Sequence, residues 1–326
     1  MKAETLKRLF SALERGNPDQ ITKVAEVIVE EERSKNHGNL ADQLQRYLSK
    51  MTPTEHKAHG RISPNLTPLP TNKRSAHPLI QVVERDLLNP HMILNEAIES
   101  RFIRIEKEFA AQERLASFGL KPKKKILIYG PPGCGKTMGA ERLAWNLGLP
   151  LHKVRLDALV SSYLGDSMSN LRAIFDHAAQ MPRLLLLDEC DFVAKSRELG
   201  QDVGEINRMV NTLLQLLEEY HAPGLLVATT NLDKSLDGAI FRRFDDVFEI
   251  PHPDEEQIVK LLKQRLSSMD TAKNISWKIL AENLKGSSCA RIVHIANEAA
   301  KIAVLGGKSV VQSQDIEQAM SEVRLA

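Results

Sequence analysis

The sequence predicts an α/β fold, in which a parallel sheet with a phosphate-binding loop is flanked by helices, with a helical domain before it and a helical lid after it. Two observations carry this prediction. Short apolar runs alternate with helical periodicity between residues 121 and 250, which is typical of a parallel sheet covered by helices. One of these runs is followed by a glycine-rich loop that opens a helix, the context that a phosphate-binding loop requires.

The first 77 residues divide into two parts. Residues 1–50 carry three apolar stripes at helical spacing, and we expect a helical module there. Residues 51–77 contain several prolines and more basic than acidic side chains, which predicts a solvated linker. A basic tether that contacts nucleic acid is the alternative for this segment, although it lacks the aromatic residues that stack on bases.

The α/β core is expected at residues 78–250 and the helical lid at 251–326. To about residue 120 the core reads as a mostly helical lead-in, and beyond residue 251 only helical periodicity is evident. Strands of the sheet are predicted at 125–129, 151–155, 184–187 and 225–230, and near 246–250.

The composition limits the class of protein. A hydrophobic content of 42% in 326 residues supplies real cores, and a net charge of +2 gives no global attraction to nucleic acid. The three cysteines are far apart and odd in number, which argues against a disulfide framework, and metal-ligand spacing is absent. Neither a membrane span nor a signal peptide is evident, so we expect a cytoplasmic protein.

The glycine-rich loop is the most specific chemical signal. Glycines let the backbone curl so that successive N–H groups point at an anion, and the following helix adds its positive dipole end. Lys136 can then reach the β- and γ-phosphates of a nucleoside triphosphate, and the Thr137 hydroxyl can bind Mg²⁺. The residues expected to hold the nucleotide, which the family resemblance described below implies is ATP, are Gly130, Pro131, Pro132, Gly133, Cys134, Gly135, Lys136, Thr137 and Met138.

A second signal is the apolar run 184–187, which ends in Asp188 and Glu189. Because ligands bind beside the carboxyl ends of parallel strands, Asp188 is expected to hold Mg²⁺, directly or through water. Glu189 is expected to orient and polarise the water that attacks the γ-phosphate. A strand that merely meets a polar turn is the alternative, and the preceding phosphate loop favours the catalytic interpretation.

These segments resemble the AAA family of ATPases, within the AAA+ superfamily. The loop 130–137 is similar to that family's Walker A segment, and residues 187–191 are similar to its Walker B segment. Residues 227–231 resemble the sensor-1 strand, so the resemblance implies that Asn231 helps to place the lytic water.

Residues 236–245 resemble the family's second region of homology, which supplies arginine fingers. The resemblance implies that Arg242 and Arg243 contact the ATP of a neighbouring subunit, and hence that the protein is a homo-oligomer, a hexameric ring or spiral. Surface ion pairs with Asp245 or Asp246 are the alternative for these arginines and would contribute little.

Tyr163 and Leu164, followed by Gly165, resemble the family's first pore loop. The resemblance implies a protein substrate that an aromatic side chain grips without reading its sequence. A tyrosine at the start of a helix is the alternative. A second channel loop is considered near residues 198–204.

Some positions depart from the family pattern. Cys134 stands where the family often has threonine, and we expect little effect on phosphate chemistry, although the thiol could be oxidised. In the lid, Ala290 aligns with the sensor-2 position and Arg291 replaces the usual aspartate. Two alternatives are kept for Arg291: a contact with phosphate, or a contact on the surface of the lid. His91 and Met92 are considered for the adenine pocket, which has no clear signature.

The sequence therefore predicts a Mg²⁺-dependent ATPase, a chaperone-like remodeller that threads or remodels a protein substrate. A separately encoded partner such as a protease fits this interpretation. The alternative is a DNA-associated regulatory ATPase whose assembly depends on nucleic acid bound by residues 51–77. A scaffold that binds ATP without hydrolysing it is disfavoured, because the catalytic side chains are all present.

Overall fold

A mostly parallel sheet of six strands forms the centre of the protein, whose computed structural model describes residues 69–71, 78–156, 159, 166–190, 203–231 and 241–325. In space the strands follow the order β1-β3-β4-β5-β2-β6, and all neighbours except β1 and β3 run parallel. The parallel strands confirm the predicted positions to within one residue. The strands are β1 (Ile80–Val83), β2 (Lys125–Tyr129), β3 (Leu151–Val154), β4 (Leu184–Leu187), β5 (Leu225–Thr230) and β6 (Asp246–Glu249).

Alternate residues of each strand supply the cores on the two faces of the sheet. On β2, Leu127 packs in one core, whereas Ile126 and Ile128 pack in the other. Every residue of β4 and of β5 is buried. Both strands are covered on both faces, which explains why their sequences are continuous apolar runs rather than alternating ones.

The predicted helical lead-in over residues 78–120 is wrong at its start. Residues 80–83 form β1, an edge strand that runs antiparallel to β3 and places Ile80 opposite Val154. Within β1 only Ile80 is buried, and β1 stands at one end of the described sheet with β3 as its neighbour. Such a short, half-exposed strand has little local signal, and its pairing with β3 decides its structure.

Helices cover both faces of the sheet. On one face α1 packs against α3, with Phe102 and Ile105 of α1 fully buried, and on the other face α4 packs against α5. The side chain of Asn95 caps α1 by accepting a hydrogen bond from the Ile98 N–H at 2.9 Å. These helices are α1 (Glu96–Ala110), α2 (Gln112–Ser117), α3 (Lys136–Leu147), α4 (Asp166–Gln180) and α5 (Val203–Glu218).

After the sheet the chain forms a helical lid with its own apolar core. A capping box begins the lid, since Asp254 and Gln257 each accept a hydrogen bond from the other's backbone N–H. The Gln257 side chain also donates to the Ile93 carbonyl at 3.4 Å, which joins the lid to the lead-in. The lid elements are α6 (Glu255–Arg265), β7 (Asp270–Thr271), α7 (Trp277–Asn283), α8 (Cys289–Leu305), β8 (Val310–Val311) and α9 (Ser313–Leu325), of which β7 and β8 form a two-residue parallel pair.

Several predicted features lie outside the described residues. They are the helical module at 1–50, most of the linker at 51–77, the pore-loop residues Tyr163 and Leu164, and residues 198–202 of the second channel loop. Within the part of the chain that the structure describes, no helix combines the length and apolar character needed to cross a membrane.

Candidate active site

The loop between β2 and α3 has the backbone shape of an anion-binding loop. Gly133 and Gly135 adopt left-handed φ angles of 72° and 94°, which glycine tolerates without a steric cost. Gly130 lies so close to the backbone of Ile250 that a Cβ atom would stand 2.3 Å from the Ile250 carbonyl oxygen. Since Gly135 is the N-cap of α3, the unpaired N–H groups of the first helical turn adjoin the loop.

Lys136 and Thr137 begin α3, and both side chains make polar contacts within the site. The buried Lys136 ammonium donates to the carbonyl oxygens of Gly130 and Pro131 at 2.9 and 2.8 Å. Thr137 Oγ1 donates to Asp188 Oδ1 at 2.9 Å. A hydroxyl next to a carboxylate is a donor set that fits Mg²⁺, which takes few protein ligands and completes its shell with phosphates and water.

Asp188 accepts hydrogen bonds from three side chains of the site. Besides the bond from Thr137, it accepts hydrogen bonds from Thr229 Oγ1 at 2.6 Å and from Lys153 Nζ at 2.6 Å. Burial alone would raise the pKa of Asp188, but the hydrogen bonds from Lys153 and Thr229 and the charge of Lys153 outweigh it and lower the pKa below the ordinary value. The carboxylate is therefore ionised at neutral pH, as a metal ligand must be.

Glu189 follows Asp188 on a strained turn. Its φ of 55° is the left-handed conformation, which is uncommon for a residue with a side chain. Thr229 holds this turn, because its hydroxyl accepts a hydrogen bond from the Glu189 N–H at 3.0 Å and its carbonyl accepts one from the Cys190 N–H at 2.8 Å. The Glu189 side chain is exposed at the cleft.

A cleft of about 650 Å³ lies between the loop, the lead-in and the lid, a size typical of small-molecule sites. Its lining residues come from segments at or after the ends of four strands: the loop after β2, the turn after β4, the end of β5 and the segment after β1. Gly130 and Pro131 are not among the described residues that line it. The lining includes Pro132, Gly133, Cys134, Gly135, Lys136, Thr137, Met138, Asp188, Glu189, Thr229 and Asn231.

The lead-in and the lid supply the less polar part of the cleft. The lead-in contributes Asn89 and residues 91–94, which include the considered His91 and Met92, and the lid contributes Leu261 and Val293 together with the polar Gln264 and Arg265. Apolar side chains beside a phosphate-binding loop suit the base of a nucleotide.

Ala290, at the position expected to be sensor 2, lines the cleft, and its N–H donates to the Gly133 carbonyl at 2.9 Å. Arg291 is not among the described lining residues, and its buried Nε has no hydrogen-bond partner in the described part of the chain.

Cys134 and Cys289 connect the loop with the lid. The buried Cys134 thiol lies next to Cys289, 3.9 Å from the Pro132 carbonyl oxygen and 3.7 Å from His252 Nδ1. The neighbouring Cys289, with His252 and Lys136, lowers the pKa of Cys134 to about 6. The proximity of Cys134, together with burial, raises the pKa of Cys289.

The two predicted arginine fingers differ in their surroundings. Arg243 forms an ion pair with Glu218 of α5, with 2.7 Å between Nη2 and Oε1. Arg242 is exposed, and the described residues offer it no ion-pair partner. Asp245 and Asp246, the partners considered from sequence, contact Lys125 and the pair Arg101 and Lys123 instead. Neither arginine appears among the described residues that line the cleft of its own chain.

Lys153 and Thr229 are site residues that the sequence analysis did not single out. Lys153 is a charged residue in the short strand β3, whose other residues are buried, and Thr229 is a hydroxyl near the end of the buried strand β5. The sequence offered only a weak indication for each of them, a polar side chain near the carboxyl end of a strand. Both contact Asp188 because β3, β4 and β5 lie side by side in the folded sheet.

Comparisons with known proteins point to one family. The family model described as "ATPase family associated with various cellular activities (AAA)" matches residues 126–252. An uncharacterised AAA family ATPase of Sinorhizobium fredii is 34% identical over 321 residues, which cover 98% of this chain and 95% of that protein. The proteasome-activating nucleotidase of Methanosarcina mazei is 34% identical over 241 residues, which cover 72% of this chain and 57% of that protein.

Proposed function

Because the chain belongs to the AAA family of ATPases and hydrolyses ATP, we propose that it does so as a ring- or spiral-shaped homo-oligomer in which hydrolysis threads or remodels a protein substrate. One observation carries the hydrolytic part of the proposal. A phosphate-binding loop, a hydroxyl–carboxylate pair and an acidic turn open into one cleft, which Lys136, Thr137, Asp188, Glu189 and Asn231 all line.

In the proposed mechanism the loop binds the phosphates of ATP through its backbone N–H groups and Lys136. The Lys136 ammonium must then exchange its two hydrogen bonds to loop carbonyls for bonds to phosphate oxygens. This exchange is favourable because a phosphate carries a full negative charge and a carbonyl only a dipole. The base would lie against the lead-in, near His91 and Met92.

Thr137 and Asp188 would hold Mg²⁺, which when bound neutralises charge on the phosphates. Asp188 is held ready for this role by the three donors around it. Lys153 helps to keep this carboxylate ionised through its ion pair with it.

Glu189 would orient and polarise the attacking water. The left-handed turn directs its backbone N–H to the Thr229 hydroxyl, and that hydroxyl donates in turn to Asp188. Thr229 therefore links the Asp188 carboxylate to the backbone of the turn that carries Glu189. Asn231, the first residue after β5, would help to place the same water.

Arg242 is the stronger of the two candidates for contact with the ATP of a neighbouring subunit. It is exposed, whereas Arg243 is engaged by Glu218 within its own chain. An arginine finger stabilises the charge on the transferred phosphoryl group, so a chain without it binds ATP but hydrolyses it slowly.

Mixing two inactive variants tests this arrangement. Arg242→Ala chains keep Glu189 but lack the finger, and Glu189→Gln chains keep the finger. If the arginine acts between subunits, about a quarter of the sites in equimolar mixed rings combine both intact groups, so activity returns on mixing. Mixing Arg243→Ala with Glu189→Gln is the matched comparison. Mixed assemblies, verified by native mass spectrometry, that remain inactive would contradict the assignment of Arg242.

We further propose that Tyr163 and Leu164 grip the substrate in the channel of the oligomer. A separately encoded partner such as a protease would receive it, in keeping with a relative whose name is proteasome-activating nucleotidase. Tyr163→Ala should abolish ATP-dependent unfolding of a tagged fluorescent protein while ATP binding is kept, and Tyr163→Phe should retain unfolding. Hydrolysis that DNA stimulates, that salt suppresses and that deletion of residues 51–77 abolishes would favour the nucleic-acid alternative.

A further inference from the structure

A pair of thiols joins the phosphate-binding loop to the lid. Cys134 belongs to the loop, Cys289 is the first residue of α8, and the two thiols lie next to each other. The backbone is in contact at the same point, where the Ala290 N–H donates to the Gly133 carbonyl at 2.9 Å. Both cysteines line the nucleotide cleft.

We infer that Cys134 and Cys289 are a redox modification site: they form a reversible disulfide that ties the loop to the lid and prevents nucleotide binding. A disulfide needs a sulfur–sulfur distance of about 2.0 Å and Cβ atoms about 3.5–4.5 Å apart. Two neighbouring thiols, on segments that a backbone hydrogen bond from Ala290 to Gly133 holds together, can reach this geometry with side-chain rotation and a small shift of the loop.

The chemistry of the pair suits stepwise oxidation by a hydroperoxide. With its pKa near 6, Cys134 is mostly a thiolate at neutral pH, and the thiolate is the nucleophile. Its sulfur attacks hydrogen peroxide, so that an S–O bond forms, the O–O bond breaks and hydroxide leaves. That hydroxide takes up the proton that the Cys134 thiol gave up, and becomes water.

Cys289 then resolves the sulfenic acid on Cys134. Its sulfur attacks the Cys134 sulfur, the S–S bond forms, and the S–O bond breaks. The departing hydroxide takes the proton of the Cys289 thiol and leaves as a second water. Two thiols have given up two electrons, one peroxide has been reduced to two waters, and a dithiol reductant reverses the reaction.

The position of the disulfide explains its expected effect. Cys134 lies in the loop that must curl around the phosphates, and Cys289 begins the helix whose next residue, Ala290, lines the cleft. A bond between them holds the loop against the lid where the nucleotide has to enter. Bound nucleotide should in turn slow the oxidation, because it occupies the cleft on which both thiols border. Neither effect needs an oligomer or a protein substrate.

The test uses the full chain, reduced and free of nucleotide, with hydrogen peroxide as oxidant. Peptide mass spectrometry without reduction should find Cys134 linked to Cys289, and thiol titration should show two thiols lost per chain. Binding of a fluorescent ADP should weaken at least about tenfold, because the binding-competent fraction falls, and should recover with dithiothreitol. Saturating ADP added before the peroxide should slow the formation of the link.

Variants separate this pair from the third cysteine. Cys289→Ser and Cys289→Ala should form no link, and Cys190→Ser should form it as the parent does, because the Cys190 thiol donates to the Leu187 carbonyl elsewhere in the core. Two results would overturn the inference: a peroxide-treated chain in which Cys134 and Cys289 are still unlinked, or a linked chain that binds ADP as tightly as the reduced one.

Discussion

Lowering the pH from ~7 to ~5 is expected to destabilise the folded protein, because two buried histidines would have to take up protons. His152 of β3 and His177 of α4 stack with their ring centroids 5.4 Å apart, and they are only 7% and 5% exposed. Burial is the main reason why the pKa of each falls to about 4, and the charge of the neighbouring, buried Arg183 adds to it.

The size of the effect follows from these pKa values. The unfolded chain has histidines with an ordinary pKa of 6.5. Between the two values it therefore binds more protons than the folded chain does, and the free energy of unfolding decreases as the pH falls through this window. Between pH ~7 and ~5 each histidine should lower the free energy of unfolding by about 2 kcal/mol, and the pair should lower it by about 3–4 kcal/mol. Carboxylates titrate mostly below this window.

Urea unfolding followed by circular dichroism at both pH values measures the effect. His177→Phe keeps an aromatic ring in the stack but cannot be protonated, so it should lose about half of the pH dependence of the parent. His294→Gln changes an exposed histidine and serves as the control, with the pH dependence of the parent. If the His177→Phe variant and the parent lose equal stability between the two pH values, the buried pair is not the cause.

Two further predictions concern the site. Thr229→Val removes a hydroxyl that bonds to a carboxylate and to a backbone N–H, so we expect about 2–4 kcal/mol less stability and at least about tenfold slower ATP turnover. The Thr212 hydroxyl donates to the Arg208 carbonyl in its own helix, so Thr212→Val should leave turnover unchanged in the same steady-state assay. Gly130→Ala should abolish binding of a fluorescent ADP, because the new Cβ would stand 2.3 Å from the Ile250 carbonyl oxygen. Gly148→Ala meets no atom within 4 Å, so it should cost only about 1 kcal/mol of backbone strain and leave binding intact; equal binding by both variants would contradict the steric argument.

The parallel strands and the lid helices could be predicted because their signals are local. A strand covered on both faces, such as β4, requires a continuous apolar run, and a lid helix requires apolar residues at helical spacing. The edge strand β1 could not be found in this way. Only one of its side chains is buried, so its conformation depends on pairing with a strand about 70 residues away in sequence.

The same distinction between local patterns and tertiary contacts applies to the residues of the active site. The residues that the sequence analysis proposed for ATP and for the metal stand in segments with strong local patterns. Lys153 and Thr229, by contrast, contact Asp188 only because their strands flank β4. The contact between Cys134 and Cys289 likewise depends on the lid folding back onto the loop, which no local pattern describes.

The sequence by itself determined the chemistry. Three local patterns indicate ATP hydrolysis: a glycine-rich loop after one strand, an Asp-Glu pair after a second strand, and polar residues that end a third. Each pattern is formed by residues that are neighbours in the chain, so it can be recognised without the tertiary structure. Only the tertiary structure decided how those groups are held. The strand order β1-β3-β4-β5-β2-β6 places Lys153 and Thr229 on either side of Asp188, and the packing of the lid places a second thiol on the loop. Contacts of this kind join residues far apart in the chain, and their energies depend on burial that exists only after folding.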